Sequence, residues 1–183
     1  IVMVKSGKTA TSALAAQAHT GALAGEGRVW DAVMEEEAVI QADSLEEQMD
    51  IALYLSGAKL DRLPWNRAVT VISIGGGSGV LAADQCERLG LKVPPLSDAV
   101  RGKLKDLVTP LASTRNPVDL TPTTLADPKW FELFPKALDV IAEDPDTGAI
   151  FFQLGPMMND KVVGKVIAEF HARSPKMLFV SWP

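Results

Sequence analysis

Five small residues in a row, Gly75-Gly-Gly-Ser-Gly79, stand between an apolar segment, Ala68–Ile74, and a segment of helical character. The near-continuous apolar run predicts a strand that is buried on both faces. Glycines after such a strand let neighbouring backbone N–H groups converge on one point, and the following helix adds the positive end of its dipole. Such an arrangement suits a phosphate or another anion. We therefore predict a phosphate-binding turn formed by Gly75, Gly76, Gly77, Ser78 and Gly79.

Two familiar phosphate signatures are absent from this turn. It lacks the Lys-Ser/Thr ending of a P-loop, and its sixth position is Val80 where the dinucleotide fingerprint has glycine. The alternative is a tight strand–helix connection that binds nothing.

His19 begins a stretch of small residues, His19-Thr-Gly-Ala-Leu-Ala-Gly25, which is predicted to be a loop after a helix over residues 9–18. An imidazole that accepts a phosphoryl group needs room on one side and a partner that fixes the other ring nitrogen. Small neighbours supply the room, so His19 is a candidate catalytic residue. A surface or capping histidine is the alternative. The second histidine, His171, falls in a charged helical segment and is predicted to be exposed.

A compact loop, Asn116-Pro-Val-Asp119, supplies two more candidates. Asn116 precedes a proline, which favours an extended backbone over a helical one. Asn116 and Asp119 are candidate ligand contacts, and a turn-capping role is the alternative for Asp119.

Composition excludes several classes of protein. With 18 basic and 23 acidic residues, the chain has a net charge of −5, which argues against non-specific nucleic-acid binding. The single cysteine, Cys86, forbids an internal disulfide and any zinc site of several thiolates, and we predict no metal site. No apolar run reaches the ~18 residues of a membrane helix. We expect a cytoplasmic protein that contacts neither membrane nor nucleic acid. Whether it forms a homo-oligomer is left open.

Strand-like and helix-like segments alternate along the chain, which predicts an α/β fold with parallel sheets and flanking helices. Ser44, with Glu47 three residues later, is a capping box that begins a helix. Residues 56–67 are interpreted as a linker, with an ordinary surface loop as the alternative. We therefore expect two lobes, residues 1–62 and 63–183. The predicted strands are Ile1–Lys5, Ala38–Gln41, Ala68–Ile74, Leu91–Val93, Ala149–Leu154 and Met177–Ser181.

Several segments, taken in order, resemble one family, the nucleoside-diphosphate-forming acyl-CoA synthetases, which are relatives of succinyl-CoA synthetase. The resemblance runs over nearly the whole chain, with one mild departure at Gly77-Ser78, where proline often follows two glycines. The segments that carry it are Lys5-Ser-Gly-Lys8, Ala18-His-Thr-Gly-Ala-Leu-Ala-Gly25, Gly75-Gly-Gly-Ser-Gly-Val-Leu-Ala-Ala-Asp84 and Asn116-Pro-Val-Asp-Leu120.

The resemblance implies a flavodoxin-like fold whose first lobe is incomplete, in a piece of a longer enzyme. Such enzymes join a carboxylic acid to coenzyme A while ATP becomes ADP and phosphate, through an acyl phosphate and a phosphohistidine. His19 matches the phosphorylated histidine, and Gly75–Gly79 match the start of a helix that holds its phosphate. The implied partners are a coenzyme A-binding Rossmann domain and an ATP-grasp domain. ATP, Mg²⁺ and coenzyme A are expected to bind through those domains. This piece alone is expected to bind no cofactor and to be inactive.

Some alternatives stay open at this point. The acid is undefined, since acetate, other short acids and aromatic acids such as ferulate all suit the family. The choice between ADP and GDP is undefined as well. The chain is alternatively a non-catalytic regulatory or assembly module, for example one fused to an acetyltransferase. A flavin-binding domain is a third interpretation, and it predicts a yellow protein.

Overall fold

The strands of the described residues form two parallel sheets, one of two strands and one of four, which confirms the predicted α/β class. The computed structural model describes residues 1–20, 26–58, 60–126, 129–155 and 160–182. The contacts divide the chain into two units, Ile1–Ala58 and Lys59–Pro183. In the described residues, no helix is both long enough and apolar enough to cross a bilayer.

The first unit has one pair of parallel strands. Strands β1 and β2 pair in a register that aligns Val2 with Ile40 and Val4 with Ala42. The Gln48 side chain donates to the Val2 carbonyl at 3.1 Å and ties the third helix to β1. The elements of this unit are β1 (Val2–Val4), α1 (Ala10–Thr20), α2 (Gly27–Glu36), β2 (Ile40–Ala42) and α3 (Leu45–Gly57).

The predicted capping box at the start of α3 is confirmed. The Ser44 hydroxyl accepts a hydrogen bond from the Glu47 amide at 3.0 Å, and the Glu47 carboxylate accepts from the Asp43 amide at 2.6 Å. The first bond satisfies an amide of the helix, and the second reaches the amide before the N-cap, one position earlier than in the standard capping box.

The second unit has a four-stranded parallel sheet in the order β4-β3-β5-β6. A single 3-10 turn, Leu60–Arg62, precedes it. The elements are β3 (Val69–Ser73), α4 (Gly76–Arg88), α5 (Asp98–Lys105), β4 (Val118–Asp119), α6 (Thr121–Ala126), α7 (Trp130–Ala142), β5 (Ala149–Gln153), α8 (Asp160–Arg173) and β6 (Met177–Ser181).

Strand β3 lies at the centre of the core and is buried over its whole length. On one face, Val69 and Val71 pack with Ala82 and Cys86 of α4. On the other face, Ile72 joins the larger cluster that α5, α7 and α8 cover. Because both faces of the strand are covered, it shows no alternation of buried apolar and exposed polar residues. The predicted strand Leu91–Val93 is reduced to a single bridge between Lys92 and Ala68.

The amino ends of the strands are held by a polar network around Asp144, which is buried. Its carboxylate accepts from the amides of Ser97 at 2.8 Å and Asp146 at 3.0 Å. The Asn66 side chain continues this network, since it donates to the Asp146 carbonyl and accepts from the Ala68 amide. These bonds leave the Asn66 side chain little freedom to move.

Gly148 lies against that network, and replacement by alanine is expected to be destabilising. A Cβ at Gly148 would lie 2.1 Å from Asn66 Oδ1 and 3.1 Å from the Ala68 carbonyl oxygen. We expect Gly148→Ala to lower the free energy of unfolding by about 1–3 kcal/mol. Gly102→Ala, in α5 with no atom within 4 Å of the new Cβ, is the control and is expected to be neutral or stabilising. Urea denaturation followed by circular dichroism measures both, and equal midpoints would contradict the expectation.

Candidate functional site

The sequence predicted a glycine-rich turn followed by a separate helix, but the helix begins within the glycine-rich segment. Gly75 is the residue that caps α4, and the helix itself begins at Gly76. The first turn of α4 therefore consists of Gly76, Gly77, Ser78 and Gly79. Glycine is a poor helix former, so local propensity favours a loop, but the packing of this turn against β3 outweighs that preference.

The carbonyl oxygen of Gly75 receives three hydrogen bonds. The hydroxyls of Ser73 and Ser78 donate to it at 3.1 and 2.8 Å, and the Gly79 amide donates at 3.2 Å. The bond from Gly79 is the first of the helical ladder. The amides of Gly76, Gly77 and Ser78 come before that ladder starts, which is the condition for an anion to bind at a helix N-terminus.

The glycines of the turn are under different steric constraints. A Cβ at Gly79 would lie 2.6 Å from Ser73 Oγ and 3.4 Å from Pro117 Cβ, so only glycine allows α4 to approach β3 this closely. A Cβ at Gly76 would lie 3.2 Å from Asp119 Oδ2. At Gly77 a Cβ would meet nothing within 4 Å. Gly76 and Gly77 are exposed, whereas Gly79 is buried.

Asp119 is brought to the same end of the sheet as the glycine turn. It lies on β4, a strand inside the segment that the sequence predicted as a loop, and it is in register with Ser73 of β3. Its backbone amide and carbonyl bond to Ser113 at 3.1 and 2.9 Å. Its Oδ1 accepts from the Thr121 amide at 2.9 Å, as a turn-capping aspartate does.

Asn116 is bonded to the backbone through its whole side-chain amide. Its Oδ1 accepts from the Val71 amide at 2.9 Å, and its Nδ2 donates to the carbonyls of Val69 and Pro94, both at 2.8 Å. Both N–H donors of the side chain are used in this way. This geometry supports a structural role at the edge of β3, and a ligand contact by Asn116 stays a prediction.

His19 lies in the last turn of α1 and is exposed, so the prediction that it lies in a loop is wrong. The preceding segment is rich in alanine, the best helix former, and the helix extends through His19 to Thr20. The rest of the small-residue stretch, residues 21–25, lies outside the described residues. The second histidine, predicted as exposed, is half-buried in α8.

Lys8, in the segment after β1, bridges two elements of the first unit through two contacts. Its Nζ donates to Asp31 Oδ1 at 2.9 Å and to Gln41 Oε1 at 2.8 Å. The hydrogen bond from Lys8 holds the pKa of the Asp31 carboxyl below its usual value. Since Asp31 lies on α2 and Gln41 on β2, the lysine ties both elements to the carboxyl end of β1.

Ser73 is the residue of this site that sequence reasoning missed, because it lies inside the apolar run of β3. The signal was available in retrospect, since a serine near the end of a buried strand and two residues before the glycines breaks that run. Its hydroxyl is fully buried and bonds to Gly75.

The parallel strand order β4-β3-β5-β6, in which the chain starts at an inner strand and reverses direction across the sheet, is typical of the flavodoxin-like class of α/β domains. A family model described as the succinyl-CoA ligase like flavodoxin domain matches residues 1–55. The solved acetyl-coenzyme A synthetase 1 of Ca. Korarchaeum cryptofilum, described as dinucleotide forming and in complex with phosphate and ADP, has a TM-score of 0.79 at 26% identity. That likeness covers 100% of this chain and 38% of the other.

Two curated relatives extend the comparison. The 4-hydroxybutyrate–CoA ligase (ADP-forming) of Nitrosopumilus maritimus is 29% identical over 99% of this chain and 25% of its own length. Acetate–CoA ligase (ADP-forming) I of Archaeoglobus fulgidus is 31% identical over 90% of this chain and 24% of its own length. The chain therefore belongs to the family of ADP-forming acyl-CoA synthetases, and it spans about a quarter of the length of these relatives.

Gly79 and Gly77 offer a matched pair of substitutions within one helical turn. We expect Gly79→Ala to lower the free energy of unfolding by about 1–3 kcal/mol, because the new methyl group meets the buried Ser73 hydroxyl. Gly77→Ala is expected to be neutral or stabilising by up to ~1 kcal/mol, since alanine is the better helix former. Chemical denaturation of both variants checks this, and a Gly79→Ala protein as stable as the parent would refute the close-packing argument.

Asn116 is expected to contribute strongly to stability. Asn116→Ala removes three hydrogen bonds and leaves two carbonyls and one strand amide without their partner, at an expected cost of about 2–4 kcal/mol. The exposed neighbour Arg115, replaced by alanine, is the control and is expected to shift stability by about 0.5 kcal/mol or less. Thermal melting of the two variants tests the difference, and similar melting temperatures would rule out a structural role for Asn116.

Proposed function

We propose that this chain is the central region of an ADP-forming acyl-CoA synthetase, which converts a carboxylic acid, coenzyme A and ATP into acyl-CoA, ADP and phosphate. The relatives support the reaction class, because both curated proteins are ADP-forming CoA ligases by name. Their acids differ, 4-hydroxybutyrate in one and acetate in the other. The proposal therefore names the class of substrate, a carboxylic acid, and not one acid.

His19 is proposed as the residue that carries the phosphoryl group between half-reactions. In the ATP-forming direction, an imidazole nitrogen attacks the phosphorus of an acyl phosphate, the P–O bond to the acyl group breaks, and the carboxylate leaves. The phosphoryl group then passes to ADP. Exposure of His19 at the end of α1 supports this role, because a buried ring would have no access to either reactant.

The first turn of α4 is proposed to stabilise the phosphoryl group. A phosphorylated side chain carries about −1.5 to −2 charges near neutral pH. A helix N-terminus contributes ~0.3–1 kcal/mol at an exposed site, and each hydrogen bond to a charged group contributes about 1.5–3 kcal/mol. Several backbone donors together hold such a group far better than the dipole alone. The observation that carries this proposal is the set of three amides, from Gly76 to Ser78, that precede the helical ladder.

The remaining parts of the reaction are assigned to protein outside this chain. We propose that a coenzyme A-binding Rossmann domain and an ATP-grasp domain, in the same protein or in a partner subunit, bind coenzyme A, ATP and Mg²⁺. The length of the curated relatives, about four times that of this chain, supports such additional domains. Under this proposal the 183 residues alone have no ligase activity.

Replacement of His19 tests the function directly. In the full-length protein, His19→Ala is expected to abolish acid-labile labelling by γ-³²P-ATP and to lower turnover at least a thousandfold, because the variant lacks the proposed phosphoryl acceptor. The control is His171→Ala, which removes the other histidine and is expected to keep both activities within about twofold.

Two outcomes would contradict this function. Full labelling and turnover in His19→Ala would remove the residue from the reaction. Failure of the parent protein to form acyl-CoA from any of a panel of carboxylic acids would favour the alternative, a non-catalytic regulatory or assembly module.

A further inference from the structure

Asp119 places a carboxylate beside the turn that is proposed to bind an anion. Its Oδ2 lies 3.2 Å from the position that a Cβ on Gly76 would occupy, so it lies next to the first residue of α4. Its Oδ1 accepts from the Thr121 amide. Within the described ranges of the chain, Oδ2 accepts no hydrogen bond from another residue.

The orientation of this carboxylate is held from two sides. The backbone of Asp119 is bonded to Ser113 in both directions, and Oδ1 is bonded to Thr121. Thr121 itself has a φ of 57°, a left-handed conformation that β-branched residues rarely adopt. A conformation of this kind persists only where surrounding contacts impose it. With the backbone and Oδ1 both bonded, the remaining carboxylate oxygen, Oδ2, is directed towards Gly76.

A carboxylate here restricts which anions the turn accepts. Two like charges at hydrogen-bond distance repel each other unless a proton lies between them. Inorganic phosphate and phosphoryl groups carry such a proton in part of their population near neutral pH, because their second pKa is close to 6–7. Sulfate has the same shape but no proton to donate at that pH. The chemistry beside α4 therefore favours an anion that is also a hydrogen-bond donor.

We propose that Asp119 is a specificity-determining residue that makes the α4 turn select a protonated phosphoryl group over a fully ionised anion. The protonated phosphoryl oxygen donates to Asp119 Oδ2, and the remaining oxygens accept from the amides of the turn. This inference rests on the proposed function, since it assumes that the α4 turn binds the phosphoryl group. It gives Gly76 a second role, because a side chain there would displace the carboxylate.

The test compares inorganic phosphate with sulfate in the full-length protein and in its Asp119→Asn variant. Phosphate is the varied substrate of the reverse reaction, from acyl-CoA and ADP, and sulfate is the competing anion. We expect the parent to prefer phosphate by at least tenfold, as the ratio of the inhibition constant of sulfate to the KM of phosphate. In Asp119→Asn the ratio is expected to approach one, because the new amide donates to sulfate as well as to phosphate.

Asparagine keeps an oxygen for the Thr121 amide, so this variant preserves the local structure. Asp119→Ser, which removes the carboxylate with a smaller side chain, is the second variant and is expected to lose the discrimination as well. A ratio that stays at the parent value in both variants would overturn the inference while leaving the proposed function intact. If the parent neither uses phosphate nor is inhibited by sulfate, the inference and the proposed anion site both fall.

Discussion

The close approach of α4 to β3, where Gly79 lies against the buried Ser73 hydroxyl, determines the geometry at the carboxyl end of β3. Because no side chain separates helix from strand there, Ser73 reaches the Gly75 carbonyl and shares it with Ser78 and Gly79. The carbonyl is thereby directed into the turn, and the three amides that follow it are left at the free end of the helix. The exposure of these backbone amides is therefore a consequence of how α4 packs against β3.

The same strand organises the acidic side of the edge. Strand β3 pairs with β4 so that Asp119 stands next to Ser73, and Asn116 bonds to the β3 backbone at Val71 and Val69. One short connection therefore supplies both a structural clamp and a charged group. Amide donors and a carboxylate acceptor at the same edge suit a ligand that accepts several hydrogen bonds and donates one, which describes a partly protonated phosphate.

Sequence patterns predicted what depends on near neighbours. The apolar run of β3 and the Ser44–Glu47 capping box are local signals, and both are confirmed. Two predictions were wrong: the glycine segment was predicted to precede the helix, but α4 starts at Gly76, and the segment around Asp119 was predicted as a loop, but it contains β4. Both elements depend on contact with β3 and not on local propensity. The hydrogen bonds of the Asn116 side chain could not be predicted for the same reason, since their partners lie 22 to 47 residues away along the chain.

The central claim is that the amide end of α4 holds a phosphoryl group. A crystal structure of the full-length protein soaked in inorganic phosphate measures this most directly. The claim requires a phosphate oxygen within about 3.2 Å of at least two of the amides of Gly76, Gly77 and Ser78. Phosphate bound elsewhere, with only water or another protein segment on those amides, would contradict it.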